Sequence, residues 1–79
     1  MHQYSINLSN YNLNDTIESL LIKENVVRYS YCKYHFLTNE GKYLKTYYSN
    51  NYDDWKNCNL YSELGDISLI LTVEPRIGN

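Results

Sequence analysis

The side chains of this chain best suited to chemistry are two cysteines and two histidines, and one of each lies in the run Cys32-Lys33-Tyr34-His35. Together with Cys58 and His2, these side chains could supply the four ligands of a tetrahedral zinc site. On a regular strand, however, positions 32 and 35 point to opposite faces, so both could bind one ion only if the strand were broken. We therefore expect no cofactor, and a small zinc-stabilised interaction domain remains an alternative.

Catalysis has less support in the sequence. A thiol nucleophile would need Cys32 or Cys58 beside His35 and a further group to lower the thiol pKa. A nuclease working from a sheet surface could use His35, Lys45, Tyr31 and Tyr47, as in small ribosome-dependent RNA-cleaving toxins. Those toxins are strongly basic, whereas this chain has a net charge of −2. A toxin-like ribonuclease is the second alternative, and the prediction is that the protein is not an enzyme.

Tyrosine is over-represented, with ten residues against one phenylalanine and one tryptophan. Its ring is apolar and its tip is polar, which suits protein interfaces. If the central hairpin has the simplest register, one face carries a row of candidate partner-binding residues: Tyr29, Tyr31, Lys33, His35, Tyr43, Lys45 and Tyr47. Single-stranded nucleic acid could also stack on such rings, but the acidic balance argues against it. Tyrosine is also simply a good strand former.

A second candidate contact is acidic: Asp53, Asp54, Glu63 and Asp66. These carboxylates could face a basic groove on a nucleic-acid enzyme, with their charges in place of phosphates. A solvated rim with acids at a helix start explains the same residues. Both readings leave the acids at the surface.

The hairpin that positions the tyrosines extends from Val26 to Tyr48 and turns at Asn39-Glu40-Gly41. A three-residue loop that ends in glycine predicts a type I turn closed by a left-handed Gly41. With Thr38 and Lys42 beside the loop, Leu37 would pair with Tyr43, and Cys32 with Tyr48. The face toward the core would then carry Cys32, Tyr34, Phe36, Leu44, Thr46 and Tyr48.

Four other segments complete the predicted fold. Residues 3–8 alternate as a short strand, and a helix from Asp15 to Glu24, with a capping box of Asp15 and Glu18, presents Leu13, Ile17, Leu20 and Leu21 to the sheet. Residues 49–59 predict a short helix or a loop that buries Trp55 and Cys58. Residues 67–73 form a last strand that Pro75 ends.

The predicted fold class is α+β. It is a mostly antiparallel four-stranded sheet in the order β-α-β-β-(α)-β along the chain, with one or two helices on one face, in a single domain of residues 1–79. The longest apolar run, 67–73, is too short to span a membrane, and residues 1–22 show no signal-peptide pattern. We expect a cytoplasmic protein with reduced cysteines, no membrane partner and no direct contact with nucleic acid.

Stretches such as NNYDDWKNCNLY and RYSYCKYHF, in a small acidic chain, resemble the proteins that bacteriophages and mobile elements use against host defence, including anti-CRISPR proteins. The resemblance is one of size and composition over the whole chain. It implies stoichiometric binding to a nuclease effector such as Cas9 and blocking of DNA loading or cleavage. The modest charge of −2 favours a shape-based contact over DNA mimicry. The leading prediction is thus a non-enzymatic inhibitor of a larger nucleic-acid-handling enzyme with a basic surface.

Overall fold

The computed structural model describes residues 2–27 and 31–75. Four strands, β1 (His2–Asn7), β2 (Cys32–Thr38), β3 (Tyr43–Tyr48) and β4 (Ser68–Pro75), form an antiparallel sheet in the order β1-β4-β2-β3. The α-helices are α1 (Ile17–Lys23), α2 (Tyr52–Trp55) and α3 (Leu60–Leu64), with 3₁₀ turns at Leu8–Asn10 and Ser49–Asn51. The predicted α+β class is confirmed, with α3 as an additional helix.

The core lies between one face of the sheet and the helices. Alternate residues of the two central strands are buried there: Cys32, Tyr34 and Phe36 from β2, and Leu69, Leu71 and Val73 from β4. The helices contribute Ile17, Leu20, Leu21, Trp55, Leu60 and Leu64 to the same cluster. Because β4 comes last in the chain but lies second in the sheet, it joins β1 to the β2–β3 hairpin.

Helix α1 begins at Ile17, two residues after the predicted start at Asp15. The N-cap is Thr16, and Thr16 and Ser19 form the capping box, each side chain accepting a hydrogen bond from the other residue's backbone N–H. The Asp15 carboxylate instead accepts a bond from the Asn12 N–H, ahead of the helix. The two hydroxyls thus satisfy the free N–H groups that an acid pair would otherwise satisfy. The helix ends at Lys23, and Asn25, just past the C-cap residue Glu24, has the left-handed φ of 54° that suits a helix stop.

Leu13 was predicted to lie on the apolar stripe of this helix, and that was wrong. Its side chain is 76% exposed, because it precedes α1 and does not continue the helical spacing. The backbone at Leu13 is held by Asn59, the residue that caps α3. The Asn59 side-chain amide donates to the Leu13 carbonyl at 2.6 Å, and a β-bridge joins Thr16 to Asn59.

Residues 49–59 contain the helix that the sequence left undecided. Asp53 and Asp54 lie in the first turn of α2, and Trp55 is buried at its end. The Trp55 indole N–H donates to the Tyr48 carbonyl at 2.9 Å, which fixes α2 against the end of β3. Helix α3 is capped by Asn59 and stops at Gly65, which has φ of 74°.

The hairpin register differs from the simplest one because β3 contains a bulge. Leu37 pairs with Tyr43, as predicted, but Phe36 then pairs with Lys45, so Leu44 is an extra residue on β3. The turn itself is as predicted, with Gly41 at φ of 92°. Beyond the bulge every pairing moves by one residue, and side chains after Leu44 exchange faces.

Four face assignments were therefore wrong. Tyr47 was predicted on the exposed face and is 7% exposed, and Lys45 lies on the same helical side. Thr46 and Tyr48, predicted to face the core, lie on the opposite side, with Tyr48 39% exposed. The bulge allows both Leu44 and Tyr47 to contact the core, which strict alternation forbids for residues three apart.

Candidate functional site

The sheet face away from the helices is the candidate site, and we call it the open face. By strand pairing it consists of Gln3, Ser5, Lys33, His35, Leu37, Tyr43, Thr46, Tyr48, Ile70, Thr72 and Glu74. The pairings arrange these side chains in rows that cross the sheet. One row is Ser5, Ile70, Leu37 and Tyr43; the next is Gln3, Thr72, His35 and Thr46.

His35 is the centre of the open face and is almost wholly covered by its neighbours. Its Nδ1 lies 2.9 Å from the Thr46 hydroxyl, and its Nε2 lies 2.8 Å from a Glu74 carboxylate oxygen. The edge of the imidazole meets the Tyr43 ring, with 5.1 Å between ring centroids. Since both ring nitrogens are bonded, the imidazole is fixed in one orientation.

Glu74 is held ionised by its surroundings. The hydrogen bond from His35 lowers the pKa of this carboxyl, and the nearby Lys33 ammonium adds to the effect. Lys33 also lies over the Tyr48 ring, 5.6 Å from its centroid. Carboxylate, imidazole and ammonium groups thus form one network across β4 and β2, with β3 contributing the tyrosine rings.

We expect the free energy of unfolding of the Glu74→Gln variant to depend less on pH in the acid range than that of the wild type. The folded-state pKa of Glu74 is below its ordinary value of 4.5, so the ionised form favours the fold above that pH. This contribution is lost as pH falls and the carboxyl becomes protonated. Urea unfolding at a series of pH values from neutral to acid should show a shallower loss of unfolding free energy for Glu74→Gln than for the wild type.

The control for this measurement is Glu40→Gln, which removes an exposed carboxyl in the hairpin turn. It should reproduce the acid slope of the wild type. An identical slope for Glu74→Gln would mean that the contact between His35 and Glu74 does not contribute to stability in solution.

Exposed aromatic rings flank this polar centre. Tyr43 is 60% exposed at the start of β3, and Tyr48 lies at its end. Leu37 and Ile70 are half-buried between the strands. Tyr31, just before β2, is 62% exposed, and Tyr29 lies outside the described residues. The predicted exposure of Tyr31 and Tyr43 is confirmed.

Most of the other tyrosines have structural roles on the helical side. Their rings pack against the core, and their hydroxyls bond to carboxylates or backbone groups. The Tyr52 hydroxyl donates to Glu18 at 2.7 Å, and the Tyr11 hydroxyl donates to Glu24. The Tyr61 hydroxyl bonds to the Leu8 and Tyr11 carbonyls. Tyrosine therefore supplies ring volume in a thin core while its hydroxyl remains hydrogen-bonded near the surface.

Tyr47 is the clearest of these structural tyrosines. Its ring stacks on Trp55 with 4.8 Å between centroids, and its hydroxyl donates to Glu63 at 2.6 Å. Burial, followed by the bond to Glu63, raises the pKa of Tyr47. The same bond lowers the pKa of Glu63, which Lys45 also approaches at 3.5 Å. Lys45, Tyr47 and Glu63 thus form a cluster on the helical side, in which only Tyr47 is buried.

The four predicted acids do not form one patch with the open face. Asp53 and Asp54 are exposed on α2, where Lys56 lies 3.5 Å from Asp53. Asp66 is exposed between α3 and β4, and Glu63 is held by Tyr47 and Lys45. Helix α2, which carries Asp53 and Asp54, packs against β3.

The alternative zinc ligands do not converge. Cys32 is buried in the core, whereas His35 lies on the open face with both nitrogens bonded. Both cysteines are free thiols. Within residues 2–27 and 31–75, no group of three or more histidine, cysteine or acidic side chains is placed to hold a metal ion. The nuclease set is also divided, since Lys45 and Tyr47 lie on the helical side and His35 does not.

Sequence reasoning missed Glu74, Thr46 and Tyr48 as members of the open face. Glu74 lies 39 residues from His35, and only the pairing of β2 with β4 brings them together. A signal for Thr46 and Tyr48 existed in the pair Leu44 and Tyr47. Two large apolar side chains three residues apart can both face the core of a sheet only if the strand contains a bulge.

No helix in the described part of the chain is long and apolar enough to cross a membrane. No protein-family model, curated protein or solved structure matches this sequence or its fold.

Proposed function

We propose that this protein is a non-catalytic protein-binding module and that the open face is its contact surface. The observation that supports this most is the exposure of Tyr43 and Tyr48 on a sheet face that no described helix covers. Exposed aromatic rings beside half-buried aliphatic side chains are typical of the centre of protein interfaces.

The polar centre of the open face supports binding over catalysis. His35 is bonded on both sides within the sheet, to Thr46 and to Glu74, so neither ring nitrogen is available to a substrate. A partner would instead meet a surface whose polar groups are already paired and whose rings have few rotamers to lose. Such preorganisation lowers the entropic cost of association.

The partner class that we propose is a larger nucleic-acid-handling enzyme with a basic surface, which this protein inhibits stoichiometrically in the cytoplasm. Two features support it. Asp53 and Asp54 are exposed on α2, the helix that follows the end of β3. In size and composition the chain also resembles anti-CRISPR proteins, whose targets bind nucleic acid. A partner that reached from the open face around β3 to α2 would meet both the rings and these acids.

Affinity capture from bacterial lysate with the double variant Tyr43→Ala/Tyr48→Ala tests the contact surface. The variant should keep its fold, because both side chains are exposed, and should lose at least about tenfold in affinity for the captured partner. The matched control is Leu13→Ala, which removes an exposed apolar side chain away from the open face. Equal capture by the wild type and the double variant would exclude the open face as the contact.

Inhibition is tested by titrating the protein into a guide-loaded Cas9 complex and measuring DNA cleavage and DNA binding. Loss of cleavage that saturates near one inhibitor per enzyme, and that needs Tyr43 and Tyr48, would support the proposed partner class. Unchanged cleavage would exclude this effector. A partner recovered by capture would then be assayed in the same way.

A further inference from the structure

The outer edge of β1 is the second surface that could bind another chain. β1 is the end strand of the sheet and pairs with β4 along its other side. The Leu8 N–H donates to the Ile67 carbonyl at 2.8 Å, which continues that ladder by one residue. In an antiparallel pair, bonding residues alternate along the strand, so the N–H and C=O groups of Gln3 and Ser5 point away from β4. These backbone groups are available for a further strand.

The two edges of the sheet differ in their protection. An edge strand usually carries a charge, a proline or a bulge, which blocks the addition of another strand. β3 has the bulge at Leu44 and the charge of Lys45, but β1 has the sequence HQYSIN, with no acid, lysine, arginine, proline or glycine. The unprotected edge is thus at β1.

We propose that β1 pairs in antiparallel fashion with β1 of a second copy of this chain, about a two-fold axis. A two-fold axis brings the same segment to itself, so the interface must tolerate its own charges. β1 meets this requirement because none of its residues is an acid, a lysine or an arginine. The alternation of side chains is also compatible, since Tyr4 and Ile6 face the helical side and Gln3 and Ser5 the open face in both copies.

The dimer would contain a continuous eight-stranded sheet. Half-buried Tyr4 would pack beside the second strand, which extends the core across the junction. Both β3 edges remain at the outer ends, so dimerisation does not obstruct the partner contact proposed above, and neither proposal depends on the other. Because a six-residue strand buries little area, the dimer should depend on protein concentration.

Ser5→Pro is the variant that tests this pairing. Proline removes an N–H group that points away from β4, so the bonds between β1 and β4 stay intact while the outer edge is blocked. Ser5→Ala is the matched control, since it removes the same hydroxyl but keeps the N–H. Light scattering coupled to gel filtration, at increasing protein concentration, should show the 9.4 kDa chain forming a species of twice that mass for the wild type and Ser5→Ala.

Ser5→Pro should remain a monomer at the same concentrations. If proline weakens the fold, as circular dichroism would show, the variant Gln3→Lys/Ser5→Lys replaces it, because it places like charges across the two-fold axis on exposed positions. A monomeric wild type at every concentration would overturn the proposal. So would a folded blocking variant that still dimerises, or a monomer that adds an unrelated extended peptide along β1.

Discussion

Tyr47→Ala is expected to destabilise the protein by about 3 to 5 kcal/mol, the usual cost of truncating a buried aromatic side chain. The Tyr47 ring stacks on Trp55 and meets the edge of Phe36, with 6.0 Å between the centroids of the latter pair. The substitution would also leave Glu63 without its phenol donor. Since small domains are stable by only about 5 to 15 kcal/mol, the variant should be close to unfolding at moderate temperature.

Tyr48→Ala is the matched control, one residue further along the same strand. Its ring is exposed and contacts Lys33 through a cation–π interaction, so the expected cost is below about 1 kcal/mol. Urea denaturation of both variants gives the two free energies of unfolding. A hairpin without the bulge would reverse their order, because Tyr47 would then be exposed and Tyr48 buried. Equal values would contradict the face assignment beyond Leu44.

Alkaline pH is expected to unfold the protein through its buried phenols. Burial, then the hydrogen bonds to Glu24 and Glu63, raise the pKa values of Tyr11 and Tyr47 above the ordinary value of 10.0. Their protonated forms therefore favour the folded state. This contribution is complete below pH 10, and it is lost as pH rises because the unfolded chain releases these protons first.

The variants Tyr11→Phe and Tyr47→Phe separate this effect from packing. Each removes a hydrogen bond at a cost of about 1 kcal/mol near neutral pH but also removes a titrating group, so stability should fall less steeply above pH 10 than in the wild type. Tyr43→Phe, which changes an exposed phenol, serves as the control and should keep the wild-type slope. If Tyr11→Phe and Tyr47→Phe both lost stability above pH 10 as steeply as the wild type, other groups would govern alkaline unfolding.

Local features of the fold were predictable because they depend on neighbouring residues. Gly41 and Asn25 adopt the left-handed conformations that their positions after the turn and the helix require. Alternation from Ile67 to Val73 predicted the buried residues Leu69, Leu71 and Val73, and Pro75 ends that strand, but Ile67 precedes the strand and is 51% exposed. These signals need no distant partner, since the backbone conformation and the side-chain period act within a few residues.

The candidate site was only partly predictable. Lys33, His35 and Tyr43 were assigned to the correct face, because β2 alternates regularly and Tyr43 lies between the turn and the bulge. Lys45 and Tyr47 were assigned to the wrong face. The turn by itself predicts pairing without a bulge, whereas in the fold both Leu44 and Tyr47 pack against the core, which requires one. The packing of Tyr47 on Trp55, contributed by a helix outside the hairpin, stabilises the bulged arrangement.

By itself, the sequence determined that this chain folds as a sheet covered by helices on one side, with a turn at Gly41 and aromatic rings left for a second face. Those properties follow from the spacing of apolar side chains, the residues of the turn and the composition, none of which requires a contact between distant parts of the chain. Only the tertiary structure decided which tyrosines are exposed and which groups surround His35. A bulge reverses the faces of a strand, and Glu74 reaches His35 through the pairing of strands far apart in the chain.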